Sequence, residues 1–225
     1  MLVKNWMNKE AITVDVGDSI MDAMSLLKEK NIRMLPVMDR HKLVGVVTDR
    51  DLKRASASDA TALEIHELLY LISKIKVKEV MTKDPITVPY DHTVEETAEI
   101  LLKNKISGAP VVDYDGKIVG IITQTDIFRL LISLTGIGKK GIQFAFLLED
   151  RPGSIKDVAD IIRSYHGRMT SILSTYENVP EGCRMVYIRC HGIDREKLRH
   201  LKEALREKAT LIYTVDHRGN VREIY

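Results

Sequence analysis

Two segments of this chain repeat one order of residue types at a nearly constant offset, and this repetition constrains the fold more than any other feature. Met7 matches Met81, Ile12-Thr13-Val14 matches Ile86-Thr87-Val88, and Pro36-Val37 matches Pro110-Val111, each pair 74 positions apart. After Tyr114 to Lys117 the offset becomes 75, because the second turn holds one more residue. The stretch GVVTDRD (Gly45 to Asp51) then aligns without a gap on GIITQTD (Gly120 to Asp126). A repeat of this size is one supersecondary unit, which buries its apolar face by packing against its copy.

The first copy, Trp6 to Ala55, reads as β-α-β-β-α. Ala11 to Val16 is a short strand. Ser19, with Asp22 three residues later, opens a helix whose apolar stripe is Ile20, Ala23, Met24 and Leu27. Arg33 to Asp39 is a second strand, and its proline predicts a strand start or a sheet edge rather than a mid-ladder position. Lys42 to Thr48 follows across a turn, and Asp49 onward turns helical. The second copy, Val80 to Leu131, repeats this order, with Thr93 and Glu96 as the cap and Val94, Thr97, Ala98 and Leu101 as the stripe. Between the copies, Ser58 to Lys76 places Leu63, His66 and Leu69-Tyr70 at helical spacing. His66 has no evident metal partner and reads as a surface or interface residue.

Thr135 to Gly141 brings three glycines and two lysines without apolar periodicity, which marks a linker. Beyond it come a strand (Ile142 to Leu148), a helix (Gly153 to His166), a hairpin (Arg168 to Asn178 and Arg184 to Cys190), a helix containing Leu198, Leu201 and Leu205, and a strand (Thr210 to Asp216). This β-α-β-β-α-β order is the ferredoxin-like plan. The predicted class is therefore mixed, α/β and α+β, divided as repeat one (1–57), connecting helix (58–79), repeat two (80–134), linker (135–141) and C-terminal domain (142–225).

A net charge of +2 over 225 residues, with acids and bases mixed along the helices, does not call for nucleic acid or an anionic membrane. The basic helix Arg195 to Lys208 balances its charges with glutamates and reads as a solvated face. No run approaches the ~18–20 apolar residues of a membrane span, so a cytoplasmic protein is expected. Cys183 and Cys190 lack zinc spacing and are expected to be small core residues. Nucleophile-elbow, P-loop, dinucleotide and zinc signatures are not found in the sequence. His191 beside Cys190 would face the opposite side of a strand. The chain is expected to be no enzyme, to hold no catalytic or metal residues, and to require no cofactor.

Each Thr-x-x-Asp corner falls where a strand gives way to a helix, and two readings stand together there. Thr48 and Asp51, or Thr123 and Asp126, are close to a capping box that satisfies orphan N–H groups. A helix N-terminus also favours an anion, and a nearby carboxylate can accept hydrogen bonds from sugar hydroxyls.

With the repeated strands, caps and corners in place, residues 6 to 131 resemble a tandem pair of cystathionine-β-synthase (CBS) domains, the Bateman module. That resemblance implies an adenosine-containing regulatory ligand (AMP, ADP, ATP, S-adenosylmethionine or NADH) in clefts between the repeats. It implies that Asp51 and Asp126 hold ribose hydroxyls and that Thr48 and Thr123 approach phosphate or another polar group. Thr13 and Thr87 would line the clefts, while Ile32, Arg33 and Met34, and Ile106, Ser107 and Gly108, would flank the adenine. The copies differ: Arg33 and Arg50 suit a phosphate in the first corner, where the second has Ser107-Gly108 and Gln124-Thr125. Paired with Asp49 or nearby acids, the same arginines would be only solvated ion pairs. The C-terminal part resembles an ACT domain through LLEDRPGSI (Leu147 to Ile155). Asp150, Arg151, Pro152 and Gly153 would form its amino-acid site, or only a turn in a dimerisation module. The whole order is similar to acetoin-utilisation proteins of the AcuB type. A homodimer and a regulated partner protein are the implied partners; a ligand-free oligomerisation scaffold is the alternative.

Overall fold

The computed structural model describes residues 1–57, Tyr70 and residues 73–225. It divides into two compact units, Met1–Phe128 and Arg129–Tyr225. Most of the expected connecting helix, with Leu63, His66 and Leu69, lies outside the described residues.

In the first unit, repeat one supplies β1 (Val14–Asp15), α1 (Ile20–Glu29), β2 (Met34–Asp39), β3 (Lys42–Thr48) and α2 (Asp49–Ala57). Then follow α3 (Val77–Val80), β4 (Thr82–Lys83), β5 (Val88–Pro89), α4 (Val94–Asn104), β6 (Gly108–Val112), β7 (Ile118–Thr123) and α5 (Gln124–Thr135), the last of which ends in the second unit. Both predicted caps close as capping boxes. Ser19 Oγ accepts from the Asp22 N–H at 3.1 Å, and Thr93 Oγ1 accepts from the Glu96 N–H at 3.2 Å. The two helices also end alike, at left-handed Asn31 (φ 52°) and Lys105 (φ 55°), 74 positions apart. Asparagine tolerates that conformation; lysine holds it because the chain must turn there.

Two expectations need correction. The first strand is shorter than Ala11 to Val16, because residues 11 to 13 precede the ladder, which begins with Val14 opposite Val37. Pro36 lies in the middle of β2, an interior strand of the sheet β1-β2-β3-β4, opposite Val46. It is accommodated beside β1, which joins only at Val37, one residue past the ring.

The halves of this unit exchange their leading segments. The Val3 N–H donates to His92 O (2.9 Å) and Lys4 N–H to Tyr90 O (3.0 Å). The equivalent Val77 N–H donates to Asp18 O (2.9 Å) and Lys78 N–H to Val16 O (3.3 Å). Val3 and Val77 are both fully buried, and Val77 belongs to the core of Ile20, Ala23, Leu27, Leu35, Val37, Val47 and Leu52. Burying one such side chain contributes about 2 kcal/mol. The exchange continues into the sheets: Asn8 bridges Ile121 on β7, and β4 pairs with β3 through Lys83 opposite Gly45 and Thr82 opposite Val46.

The second unit has β8 (Ile142–Glu149), α6 (Ser154–Ser164), β9 (Arg168–Thr175), β10 (Cys183–His191), α7 (Leu198–Lys208), β11 (Thr210–Asp216) and β12 (Val221–Ile224). Its sheet runs β12-β11-β8-β10-β9 with antiparallel neighbours throughout. The first four strands in sequence take the ferredoxin-like order, and β12 is an added edge that the sequence reading lacks. Phe144, Phe146, Val186 and Ile188 pack with Val158, Ile162, Leu201 and Leu205 of the two helices. Cys190 is in this core, where burial pushes its thiol up to about 12; Cys183 is only half-buried.

Candidate functional site

The two corners have the same geometry. Thr48 donates twice to Asp51 Oδ2, from its N–H (3.0 Å) and from Oγ1 (2.6 Å), and Thr48 Oγ1 accepts from the Asp51 N–H at 3.4 Å. In the second copy the corresponding distances are 2.9, 2.6 and 3.4 Å. The capping reading therefore describes the threonines and one carboxylate oxygen of each aspartate. Asp51 Oδ1 lies outside the box, and its direction is set by the box.

Backbone bonds bring the residues before the prolines to the corners. The Asp49 N–H donates to Arg33 O at 3.2 Å, and the Gln124 N–H to Ser107 O at 2.9 Å. Ile32, Arg33 and Met34 thus sit with Thr48, Arg50 and Asp51, as Ile106, Ser107 and Gly108 sit with Thr123 and Asp126. Asp49 pairs with Lys53 at 3.2 Å rather than with an arginine. Arg33 and Arg50 are exposed and form no ion pair with a described residue. Gln124 Nε2 is turned back on Ile106 O (3.3 Å).

The segments exchanged between halves also reach the glycine of each motif. A Cβ at Gly120 would lie 2.6 Å from Asn8 O and 2.7 Å from Met7 Sδ; one at Gly45 would lie 2.6 Å from Met81 Sδ and 2.9 Å from Thr82 O. Each motif glycine is therefore the crossing point of the other half's leading segment, three residues before the motif threonine. Met7, Asn8, Met81 and Thr82 are neighbours of the motif glycines that sequence reasoning missed. Its one signal was the match of Met7 with Met81.

Thr13 is placed differently. With Lys9, Arg40, Lys42, Asp115 and Lys117 it lines a cavity of about 900 Å³ at the turn ends of the two hairpins, away from Thr48 and Thr123. Thr87 directly precedes β5 and is half-buried.

The C-terminal candidate turn is occupied with itself. Arg151 pairs with Asp157 (2.8 Å) and Glu149 (3.2 Å), which hold its guanidinium above the ordinary arginine value. Asp150 Oδ1 accepts from Tyr176 OH at 3.4 Å and lies 3.7 Å from Arg184 Nε. After Pro152, Gly153 takes a left-handed φ of 86° with open space around it, so glycine serves the turn rather than a close approach. Among the described residues no cluster of three or more His, Cys, Asp or Glu could hold a metal ion, and no helix is long and apolar enough to cross a membrane. Cys190 and His191 diverge: the thiol is in the core, and the His191 ring meets Thr170 Oγ1 at 3.0 Å.

A family model for the CBS domain matches residues 3–58 and 77–133. Its starts coincide with the exchanged Val3 and Val77. The crystal structure of the CBS domain pair of protein MJ0100, in complex with 5′-methylthioadenosine and S-adenosyl-L-methionine, is 37% identical. It covers 58% of this chain and 95% of its own, with a TM-score of 0.50. A putative acetoin utilization protein (AcuB) from Vibrio cholerae is 30% identical, covering 62% of this chain and 96% of its own, with a TM-score of 0.52. Among curated relatives, the L-aspartate semialdehyde sulfurtransferase of Methanocaldococcus jannaschii is 38% identical over 130 residues, or 57% of this chain. That match spans only 23% of the sulfurtransferase.

Proposed function

The chain belongs to the CBS domain family, and on that premise we propose that it is a regulatory sensor of an adenosine-containing metabolite. The observation that carries this reading is the pair of corners. In each, a threonine fixes one aspartate oxygen at 2.6 Å, and at Asp51 the other oxygen, Oδ1, is an oriented acceptor for ribose hydroxyls. The MJ0100 pair, whose structure holds two adenosine compounds, supports this ligand class. The first corner is the stronger site for a phosphate-bearing ligand, because Arg33 and Arg50 have no ion pair among the described residues while Gln124 is engaged by Ile106 O.

The C-terminal unit acts as an ACT-type module, on the basis of its strand order, and receives the signal through Thr135 to Gly141. A homodimer is supported by Phe128 (60% exposed), Leu131 (53%) and Ile132 (57%), which form an apolar stripe at helical spacing on α5. Titration of the full chain with AMP, ATP, NADH and S-adenosylmethionine, followed by melting temperature and calorimetry, tests the sensor. A saturable rise with at least one compound is expected, weakened by Asp51→Ala or Asp126→Ala. No saturable response to any of them would leave the ligand-free scaffold.

A further inference from the structure

We propose that Arg189 and His217 form a binding site for a small carboxylate on the face of the C-terminal sheet opposite α6 and α7. Arg189 is only 4% exposed, and its surroundings account for two of its three nitrogens. Nε donates to Thr135 O (2.7 Å) at the end of α5, and Nη2 donates to Gln143 Oε1 (2.7 Å). Nη1 is buried with no partner, and no described aspartate or glutamate forms an ion pair with this guanidinium. Buried charges are ordinarily paired, because an isolated one loses its hydration without return. Holding the helix end explains Nε; it does not explain Nη1.

His217 presents the same condition. Its Nε2 is buried without a partner. Register puts Arg189, Gln143 and Val215 on one face, Arg189 opposite Gln143 and Gln143 opposite Val215; His217 lies just past the end of β11, in the turn, and its N–H holds Gly141 O. Burial first, then Arg189 and Arg222, disfavour the cationic form of the imidazole. The nearest acid in sequence, Asp216, is already held by Arg195 (3.0 Å) and by the Arg218 and Gly219 N–H groups. Residues Thr135 to Gly141 are pinned at both ends, by Arg189 and Ser171 on Thr135 O and by the His217 N–H on Gly141 O (3.2 Å). Nη1, a fixed donor, and Nε2, a donor in the tautomer that carries its proton there, match the two oxygens of one carboxylate. The Asp150 to Gly153 turn is a different place, at the opposite end of β8.

The test uses the full chain, labelled with ¹⁵N at arginine and histidine and free of nucleotide. Sodium acetate is exchanged for sodium chloride at constant ionic strength, and the Arg189 Nε and His217 ring resonances are followed. Both are expected to shift along one saturation curve. Arg189→Gln should abolish the saturable response of His217, His217→Leu that of Arg189, and Arg222→Ala should weaken binding about threefold, the scale of one exposed charge. A response that never saturates, that chloride or phosphate reproduces, or that survives Arg189→Gln would overturn the site. If Arg189→Gln does not fold, His217→Leu decides alone. Because no adenosine compound is present, failure here leaves the corner sites standing, and the converse also holds.

Discussion

In Asp51 the capping role and the proposed ligand role fall on different oxygens of one carboxylate. Oδ2 is bound by the threonine, so Asp51→Ala removes half of a capping box and is expected to cost about 0.5–1 kcal/mol in urea unfolding. The same change should abolish adenosine-ligand binding at the first corner. Thr48→Ala discriminates the roles: it frees the aspartate from its fixed direction, and calorimetry should show weaker binding with the carboxylate still present. His217 gives a separate residue-scale prediction. Burial first, then Arg189 and Arg222, depress its folded pKa below 6.5. The unfolded chain then binds the proton more readily than the folded one, so stability should fall as pH drops through 6.5. The lowered carboxylates, Glu96 and Glu223 among them, act only below 4.5. His217→Asn should reduce this slope of the melting-temperature profile around pH 6.5.

At the scale of elements, Gly45 and Gly120 are where the two halves cross. Gly120→Ala puts a methyl 2.6 Å from the Asn8 carbonyl, against backbone that cannot simply rotate away. Such overpacking is expected to cost about 1–3 kcal/mol in urea unfolding, and Gly45→Ala should do the same through Met81 and Thr82. Gly116→Ala, where a Cβ meets nothing within 4 Å, is the comparison for a loss due to φ of 75° alone. These crossings also show what a sequence conceals. The caps at Ser19 and Thr93, the stripes and the corners were legible because they are local, at spacings of three and four. The bonds from Val3 to His92 and from Asn8 to Ile121 join residues far apart in sequence, and no periodicity reports them. Pro36 was misplaced because propensity speaks of a missing N–H without saying which neighbour would have used it. The burial of Arg189 was invisible for a related reason: alternation along β10 assigns a face but says nothing of what covers that face.

At the scale of the molecule, the chain has two units with separate cores, and a sensor must connect them energetically. Two thermal transitions are expected, one for Met1–Phe128 and one for Arg129–Tyr225. A ligand of the corners binds the folded first unit, so at 100 times its dissociation constant it should stabilise that unit by about 2.7 kcal/mol. An isolated effect of this kind would describe binding without signalling. Coupling is reciprocal: if occupancy of a corner alters the second unit, the second transition must move with the first, and acetate at Arg189 must change the affinity for the adenosine ligand. α5 is the covalent route, beginning at the second corner and ending at Thr135, whose carbonyl is bound by Arg189 and Ser171. Differential scanning calorimetry with S-adenosylmethionine, acetate, both and neither closes this cycle. Additive shifts would identify two independent binding modules on one chain, and a non-additive remainder that disappears in Ser171→Ala would place the coupling at the end of α5.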